Sequence, residues 1–386
     1  MENKNFKIDS SLLLIVTMLL VIGVVMVYSA SSFKALQAYH DSHHFFKNHF
    51  FRVLAGLILM LVVAHINYRF WLNISPLLLL VSFCMLVYLL LSPSVPVIRG
   101  SRRWLPMGPV MFQASDFARL ALVLFLSLSL GVSNFVRPKS IRSFAFHLGI
   151  IGFIVVPILL QPDAGTAVLI TFIALTVLFI AGERLWYLFV LACGALPVLA
   201  LILVKNPYQW ARIIKFIDVL KGESVHWQVD QSLIAFGNGR LFGQGLGSGQ
   251  QKYDFLPDPF TDFIFAIVGE ELGLIGTTIV LALITILIWN CFKLAQNAPD
   301  FQGKILGAGV ALNIGIYALT NMGVVLGLLP TTGIPMPFLS YGGSALMVNM
   351  FFIGILMNIA EQSRMRSQWR PVRSHSNRRR VSVRHA

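Results

Sequence analysis

Apolar runs close to the length of a membrane span recur along almost the whole chain. A helix needs about 20 predominantly apolar residues to cross a bilayer, and about ten runs meet that length. They cover 11–31, 50–66, 71–91, 117–134, 143–160, 164–182, 185–204, 263–292, 305–327 and 345–360. With 56% apolar residues, 12% charged residues and a mean hydropathy of +0.76, the composition excludes a soluble globular protein. We therefore predict an all-α, polytopic membrane protein of about ten transmembrane helices.

The charge distribution predicts how these helices are oriented. An even number of spans leaves both termini on one side, and the net charge of +14 is unevenly spread. Arginines crowd the segment 364–384, and the short loops at 137–142 and 293–304 are also basic. Because cytoplasmic segments carry the excess of Lys and Arg, we place both termini in the cytoplasm. The predicted organisation is an N-terminal tail at 1–10, a transmembrane domain at 11–362 and a basic tail at 363–386.

The basic tail has two interpretations. Arginine-rich segments can bind nucleic acid, but a basic segment beside a membrane span more often contacts anionic lipid headgroups. We therefore predict anionic lipids, and no nucleic acid, as its partner.

With the N-terminus inside, the longest outer segment is 205–262, between the seventh and eighth spans. Loops of this length in a compact protein are usually functional. Aromatic, aliphatic and basic residues mix over Tyr208–Leu220, which predicts an amphipathic helix along the headgroups. The glycines at 237–249 predict tight turns or close backbone approach to a ligand. They are no nucleotide-binding fingerprint, because no strand or βαβ unit surrounds them.

Several basic side chains on the outer face run against the positive-inside bias. Arg102 and Arg103 precede the fourth span, while Arg240 and Lys252 lie in the large loop. Long loops escape this bias, so simple tolerance is one explanation. A phosphate-bearing substrate is the other, since arginine pairs with phosphate in a bidentate geometry. The residues alone leave both explanations open.

Asp262 stands at the start of the eighth span, directly after Thr261. A helix N-cap is expected there, and such a cap stabilises a helix by about 1 kcal/mol. The helix N-terminus would also favour the ionised carboxylate. An anionic carboxylate at the mouth of a bundle can act as a general base, so capping and catalysis are compatible roles.

The other carboxylates near the spans are predicted to be structural. Glu270 and Glu271 would lie about 12–14 Å farther along the same helix, where a carboxylate needs a partner, so we expect a structural or gating role. Asp116 and Arg119, three residues apart, predict a local ion pair. Asp163 begins the sixth span and either caps that helix or faces the outer cavity of the proposed base.

The first outer segment, 32–49, contains a cluster of histidines: His40, His43, His44 and His49. A metal site is the alternative here, but no companion carboxylate constellation is evident, so we expect a solvated loop and predict no metal site.

The segment Thr331–Ser344, before the last span, holds prolines and glycines that exclude a continuous helix. Non-helical backbone at membrane depth must be buried in protein or line a cavity. We predict that this segment and the Asp262 loop wall the same site, with Ser340 as a candidate binding residue.

Four blocks of sequence, taken together, resemble one family. Their order and spacing, from about the first span to the last, are similar to the SEDS family (shape, elongation, division and sporulation proteins: FtsW, RodA and SpoVE), most of all to its FtsW branch. The blocks are Arg103-Trp104-Leu105 with Gln113-Ala114-Ser115-Asp116, then Gln161-Pro162-Asp163-Ala164-Gly165-Thr166-Ala167, then Gln231-Ser232-Leu233 through Thr261-Asp262-Phe263 to Glu270-Glu271-Leu272-Gly273, and finally Gly327-Leu328-Leu329-Pro330 to Pro337-Phe338-Leu339-Ser340-Tyr341-Gly342-Gly343-Ser344.

The resemblance implies ten membrane helices with a large extracytoplasmic loop between helices 7 and 8. It also implies a peptidoglycan glycosyltransferase that polymerises lipid II at the division septum, in the bacterial inner membrane. The family's essential aspartate corresponds to Asp262, which would deprotonate the acceptor sugar 4-hydroxyl. That oxygen would attack the anomeric carbon of the lipid-pyrophosphate-linked strand with inversion.

If the chain catalyses this reaction, we expect further side chains to bind the substrate. Arg102 and Arg103, with Lys252 or Arg240, would neutralise the departing pyrophosphate, and Asp163 and Ser340 complete the set of candidate binding residues. No cofactor is certain, and a divalent cation, Mg²⁺ or Mn²⁺, is an optional helper. Implied partners are a class B penicillin-binding transpeptidase and other divisome membrane proteins.

The chain departs from the family pattern at a few positions. Phe260 replaces the usual histidine before the Thr-Asp pair, and Asp258 replaces a glutamate. Asp116 and Arg119 stand where glutamate and lysine are usual, so charge is kept there. Only Phe260 removes a polar group, which puts one local hydrogen bond in doubt.

Three alternatives stay open at this stage. One is a RodA-like polymerase of cell elongation. Another is a lipid II flippase, favoured by Glu270 and Glu271 inside a span and by the Pro- and Gly-broken segments. The third is a scaffold without activity that recruits a transpeptidase.

Overall fold

The computed structural model describes residues 9–93, 95–97, 101–108, 110–132, 140–190, 193–194, 204, 207–221, 227–253 and 255–368. Helices dominate these residues. They are α1 Ser10–Tyr39, α2 His44–His65, α3 Tyr68–Leu91, α4 Ala114–Val132, α5 Ile141–Leu160, α6 Ala164–Ile180, α7 Pro207–Lys221, α8 Trp227–Gly239, α9 Ile264–Gln296, α10 Phe301–Val325 and α11 Gly343–Gln368.

Eight of the helices described are long and apolar enough to cross a membrane: α1–α5 and α9–α11. The apolar α6 has 17 residues and accounts for a ninth predicted span. The tenth, at 185–204, lies mostly outside the described residues, as do most of both predicted tails. The prediction of an all-α, polytopic membrane protein is confirmed.

The bundle has a buried centre and a periphery that presents apolar side chains outward. In the most apolar 18-residue windows of α4, α10 and α11, 72%, 78% and 83% of the residues are buried, against 28% in α2 and α3. Outer helices expose Leu, Phe and Val, which suits contact with acyl chains. The centre therefore holds the polar groups that lipid cannot satisfy.

A short antiparallel hairpin, which the sequence analysis did not predict, leads into α4. Its strands are β1 Trp104–Met107 and β2 Val110–Gln113, with Trp104 opposite Gln113. Gly108 has φ 63° in the turn, a left-handed conformation that glycine adopts without steric cost. The hairpin places Arg103 at its base, beside the start of α4.

The first outer connection is shorter than predicted, because α1 continues to Tyr39 and α2 already begins at His44. His49 is therefore inside a helix and fully buried, so the expected solvated loop is wrong for this histidine. His44 instead stacks on Tyr39, with ring centroids 3.9 Å apart.

Two helices interrupt the long segment 205–262. The amphipathic helix predicted at Tyr208–Leu220 is confirmed as α7, and α8 follows it. Beyond the segment, α9 is broken at Gly273, which has φ 67° and ψ −163°. The helix that carries the site is thus two rods joined by a kink.

Candidate functional site

Asp262 lies in a turn just before α9 and does not cap it. The N-cap is Phe263, which makes no side-chain capping bond, and the helix begins at Ile264. Asp258 adopts φ 52°, and the amide of Thr261 donates to its carbonyl at 3.0 Å, so a tight turn occupies the place where a helix start was predicted. The Thr261 hydroxyl donates to Asp262 Oδ1 at 2.7 Å. The predicted capping role is therefore wrong.

Asn321 joins the Asp262 turn to the non-helical segment before α11. Its side-chain amide donates to the carbonyl of Asp262 at 2.7 Å and to the carbonyl of Ile334 at 2.8 Å. A Cβ placed on Gly333 would lie 3.7 Å from Asp262 Oδ2. The two segments are thus in contact, and one buried amide holds them together.

A second bond reinforces this junction from the side of α2. The amide of Tyr341 donates to the carbonyl of Phe260 at 2.9 Å, and the ring of Phe260 packs against Phe45 and Tyr341. Phe260 is 4% exposed. The residue that replaces the family's histidine therefore stabilises the turn by aromatic packing.

A cavity of about 260 Å³ opens beside this junction, between the start of α6, α7 and the end of α10. Arg103 and Asp163 meet in it, with Nη1 and Oδ1 3.2 Å apart. Arg212 enters from α7 and donates from Nη1 to the carbonyl of Thr331 at 3.1 Å. Two guanidinium groups and one carboxylate make the cavity net positive, which suits a phosphate-bearing ligand.

Three consecutive residues connect the cavity to Asp262. Thr331 and Thr332 line the cavity, while Gly333 packs against the Asp262 carboxylate. Asp262 is itself only 9% exposed and does not line the cavity. The prediction that the Asp262 loop and the segment Thr331–Ser344 wall the same site is therefore wrong for this cavity: the Asp262 carboxylate lies next to it, across one short segment.

Asp163 caps α6, which was the first of the two predicted roles, and it also lines the cavity, which Asp262 does not reach. Its Oδ1 accepts from the amide of Thr166 at 3.4 Å, at the start of α6, and it also pairs with Arg103 in the cavity. Its Oδ2 is buried with no protein hydrogen-bond partner. A buried carboxylate oxygen needs a donor, so this atom points to a water or ligand group in the cavity.

The structure does not bring four of the predicted binding residues to the cavity lining. Arg102 donates to the carbonyl of Ser92 at 3.3 Å, and Arg240 is exposed in a left-handed turn. Ser340 accepts from the amide of Met336 at 2.8 Å and is buried. Lys252 forms an ion pair with Glu271.

Lys252 forms a buried ion pair with Glu271 at 2.8 Å, the two side chains being 3% and 0% exposed. Glu271 also accepts from the Ser29 hydroxyl at 2.7 Å and from the amide of Gly247 at 3.1 Å. Glu270 accepts the amide of Gln250 at 2.9 Å. The predicted interhelical partner for these acids is thus found in the glycine-rich loop and α1, and Lys252 is unavailable to a pyrophosphate.

The glycine-rich loop completes the broken helix. The amides of Gln244 and Gly245 donate to the carbonyls of Glu270 and Glu271, each at 3.0 Å, and the amide of Leu274 donates to the carbonyl of Arg240 at 2.9 Å. These bonds satisfy backbone groups that the kink at Gly273 frees. The predicted alternatives for these glycines were tight turns or close approach to a ligand; in the structure their backbone approaches α9.

The predicted pair of Asp116 and Arg119 is present in the centre of the bundle, with Nη2 and Oδ1 3.4 Å apart. The Ser344 hydroxyl donates to Asp116 Oδ2 at 2.7 Å, and the Arg119 guanidinium lies 3.9 Å from the ring centre of Tyr317. The pair thus ties α4 to α10 and α11, which is a structural role.

Sequence reasoning missed Asn321 as a site residue, and it did not single out Arg212 from the other cations that would suit a phosphate-bearing substrate. A signal existed for Asn321, because an amide in the middle of an apolar span must find hydrogen-bond partners. Arg212 lay in the predicted amphipathic helix, but nothing in the sequence tells which face of that helix meets the bundle.

Comparisons with known proteins agree with this architecture. The model of the "Cell cycle protein" family, which covers FtsW, RodA and SpoVE, matches residues 10–365. Stage V sporulation protein E of Bacillus subtilis is 38% identical over 94% of this chain and 100% of its own length. A probable peptidoglycan glycosyltransferase FtsW of Trichlorobacter lovleyi is 37% identical over 91% of this chain and 93% of its own.

Two solved structures share the fold. One belongs to work on a peptidoglycan synthase complex that coordinates polymerization and crosslinking; it has a TM-score of 0.74 and 25% identity, covering 92% of this chain and 98% of its own. The rod shape determining protein RodA of Thermus thermophilus has a TM-score of 0.70 and 24% identity, covering 93% and 98%. The chain is therefore an integral membrane protein and belongs to the FtsW/RodA/SpoVE family of cell cycle proteins.

Proposed function

We propose that this protein is a peptidoglycan glycosyltransferase that joins lipid II units into glycan strands, with Asp262 as the general base. The Asp262 carboxylate takes the proton of the acceptor sugar 4-hydroxyl. The oxygen forms a bond to the anomeric carbon of the donor strand as the bond to the lipid pyrophosphate breaks, with inversion. A positioned base typically contributes about 10²–10⁴-fold to such a reaction.

The observation that carries this proposal is the position of Asp262 across the segment 331–333 from the net-positive cavity. Cations placed where the charge of the departing pyrophosphate develops stabilise the transition state of such a transfer. Arg103 and Arg212 would take the charge of the leaving group, in place of the Lys252 and Arg240 that the sequence suggested. The relatives named as probable peptidoglycan glycosyltransferases support the reaction class.

The Mg²⁺ or Mn²⁺ helper stays a prediction. Among the described residues, no group of three His, Cys, Asp or Glu side chains could hold a metal ion. The donor set available near the cavity is thus Asp163 and, across the segment, Asp262. We therefore propose that the two arginines neutralise the negative charge of the departing pyrophosphate.

The partner and the cellular location extend the same proposal. A class B penicillin-binding transpeptidase is the proposed partner, supported by the similarity to a protein solved in work on a peptidoglycan synthase complex. Action at the septum, with both termini in the cytoplasm, is proposed from the FtsW-like sequence and the basic tail. Other divisome proteins and anionic lipids at the tail stay predictions.

Reconstitution into vesicles tests the activity. The full-length protein, with a candidate transpeptidase partner in half of the samples, receives fluorescent lipid II, and both polymer and transbilayer movement are measured. Polymer without movement supports the proposal. Transbilayer movement of lipid II without polymer, both with and without the partner, would overturn the proposal in favour of a flippase. If neither polymer nor movement is detected with the partner present, the proposal is overturned in favour of a scaffold.

A further inference from the structure

Arg52 lies near the amino end of the apolar stretch of α2 and has no acidic partner among the described residues. It lies eight residues into α2, about 12 Å from the first turn at the helical rise per residue. It is partly buried, and its guanidinium carbon lies 4.6 Å from the ring centre of Tyr341. A cation in this position needs an anion or water, because neither acyl chains nor an aromatic ring cancels its charge.

The amino end of α11 faces the same place. A Cβ placed on Gly343, the first residue of that helix, would lie 3.7 Å from Arg52 Nε. The first amides of a helix have no intrahelical acceptor, and Gly342, which precedes it, has no side chain to cap them. This end therefore adds partial positive charge beside the guanidinium.

A second and independent observation points to a ligand here. His49, one turn before Arg52 on α2, is 0% exposed, and neither of its ring nitrogens has a protein hydrogen-bond partner. Its ring centre lies 5.8 Å from that of Tyr341, on the approach to α11. Buried polar groups nearly always have a hydrogen-bond partner. The partner of this imidazole must therefore be a group from outside the protein chain.

The nearby acids do not neutralise this cluster. Asp116 reaches the amino end of α11 through the Ser344 hydroxyl, but Arg119 already pairs with it. Asp258 is paired with Lys34. On the outside, α2 exposes Phe51 by 65% and Leu54 by 46%, so the helix borders the lipid phase on a neighbouring face.

We propose that Arg52, His49 and the amino end of α11 form a binding site for the phosphate of a membrane lipid headgroup. The guanidinium and the free amides supply the charge, and the imidazole supplies a further hydrogen bond. The site shares no lining residue with the Arg103–Arg212 cavity. It concerns binding alone, so it stands or falls independently of the glycosyltransfer proposed above.

The test is native mass spectrometry of the full-length protein in detergent, titrated separately with phosphatidylglycerol, with undecaprenyl pyrophosphate and with a phosphate-free glucosyl diacylglycerol. Arg52→Gln should bind phosphate lipids about tenfold more weakly, the effect of losing one charge-assisted contact. Arg52→Lys should keep part of the binding. Lys47→Gln, which removes an exposed cation from the same helix, is the matched control.

The arms identify the source of the phosphate. A loss confined to undecaprenyl pyrophosphate assigns the site to a polyprenyl-linked lipid, and a loss confined to phosphatidylglycerol assigns it to the bulk membrane; a loss in both supports a general phosphate site. If Arg52→Gln keeps its folded elution profile and binds both lipids as tightly as Lys47→Gln does, the proposal is wrong. Should Arg52→Gln fail to fold, the same comparison is made with Arg52→Lys and His49→Gln.

Discussion

Removing the ammonium of Lys252 would leave the carboxylate of Glu271 without a counter-ion in the interior of the bundle. The two side chains are 3% and 0% exposed and 2.8 Å apart. Breaking a buried pair by removing one partner typically costs about 3–5 kcal/mol, because the remaining charge is desolvated. Ser29 and Gly247 still donate to Glu271, so we expect the Lys252→Met change to cost about 3 kcal/mol, at the lower end of that range.

The assay is unfolding in mixed micelles, followed by tryptophan fluorescence, with the free energy of unfolding compared across variants. Lys252→Met combined with Glu271→Gln removes both charges and should recover most of the loss. The matched control is Lys47→Met, whose pair with Asp41 is exposed at 59% and 39% and should matter little in water. If Lys252→Met is no more harmful than Lys47→Met, or if the double change gives no recovery, the pair does not hold the loop to α9.

Three further predictions concern the site and its supports. Arg103→Gln should raise the KM for lipid II more than it lowers kcat, because the cavity loses a phosphate partner and Asp163 loses its counter-ion; steady-state kinetics of reconstituted protein measure both. Asn321→Leu should lower kcat about tenfold or more, since it frees two buried carbonyls and loosens the Asp262 turn; folded yield and activity are measured together, and an unchanged kcat would refute the clamp. Gly273→Ala should reduce the folded fraction on size exclusion, because φ is 67° and a Cβ would lie 2.6 Å from the carbonyl oxygen of Leu241, whereas an unchanged profile would show that the kink tolerates a side chain.

Run length alone predicted most of the membrane helices, because the bilayer fixes the length of apolar sequence that a span needs. The ends of those helices were less predictable. Helix α1 extends to Tyr39 and α2 starts at His44, where the two rings stack, and such a contact has no signature in hydropathy. The hairpin at 104–113 was also not predicted, because each of its strands has only four residues.

The carboxylate at the centre of the site was found from sequence, but its geometry was not. Asp262 was predicted as an N-cap from its place after Thr261, and the left-handed Asp258 moves the helix start beyond it. A single backbone conformation decided the outcome, and no propensity rule predicts φ 52° for an aspartate that precedes proline.

The partners of the charges were the hardest part to predict. Lys252 and Glu271 are 19 residues apart, and their pairing depends on how the glycine-rich loop folds back on the broken α9. Arg212 reaches the cavity because α7 lies beside the segment 329–331, which amphipathic patterning does not specify. The sequence shows which residues are charged, but the pairing of charges that are distant along the chain is known only from the folded structure.

The most direct measurement compares polymerisation of lipid II by the parental protein, Asp262→Asn and Asp258→Asn, reconstituted with the same partner and matched for folded amount. Asp258 lies in the same turn but pairs with Lys34, so its replacement controls for disturbance of the loop. The account predicts a loss of about 10²–10⁴-fold for Asp262→Asn, as expected when a positioned base is removed, and a change of only a few-fold for Asp258→Asn. Glycan synthesis by Asp262→Asn at the parental rate would contradict it.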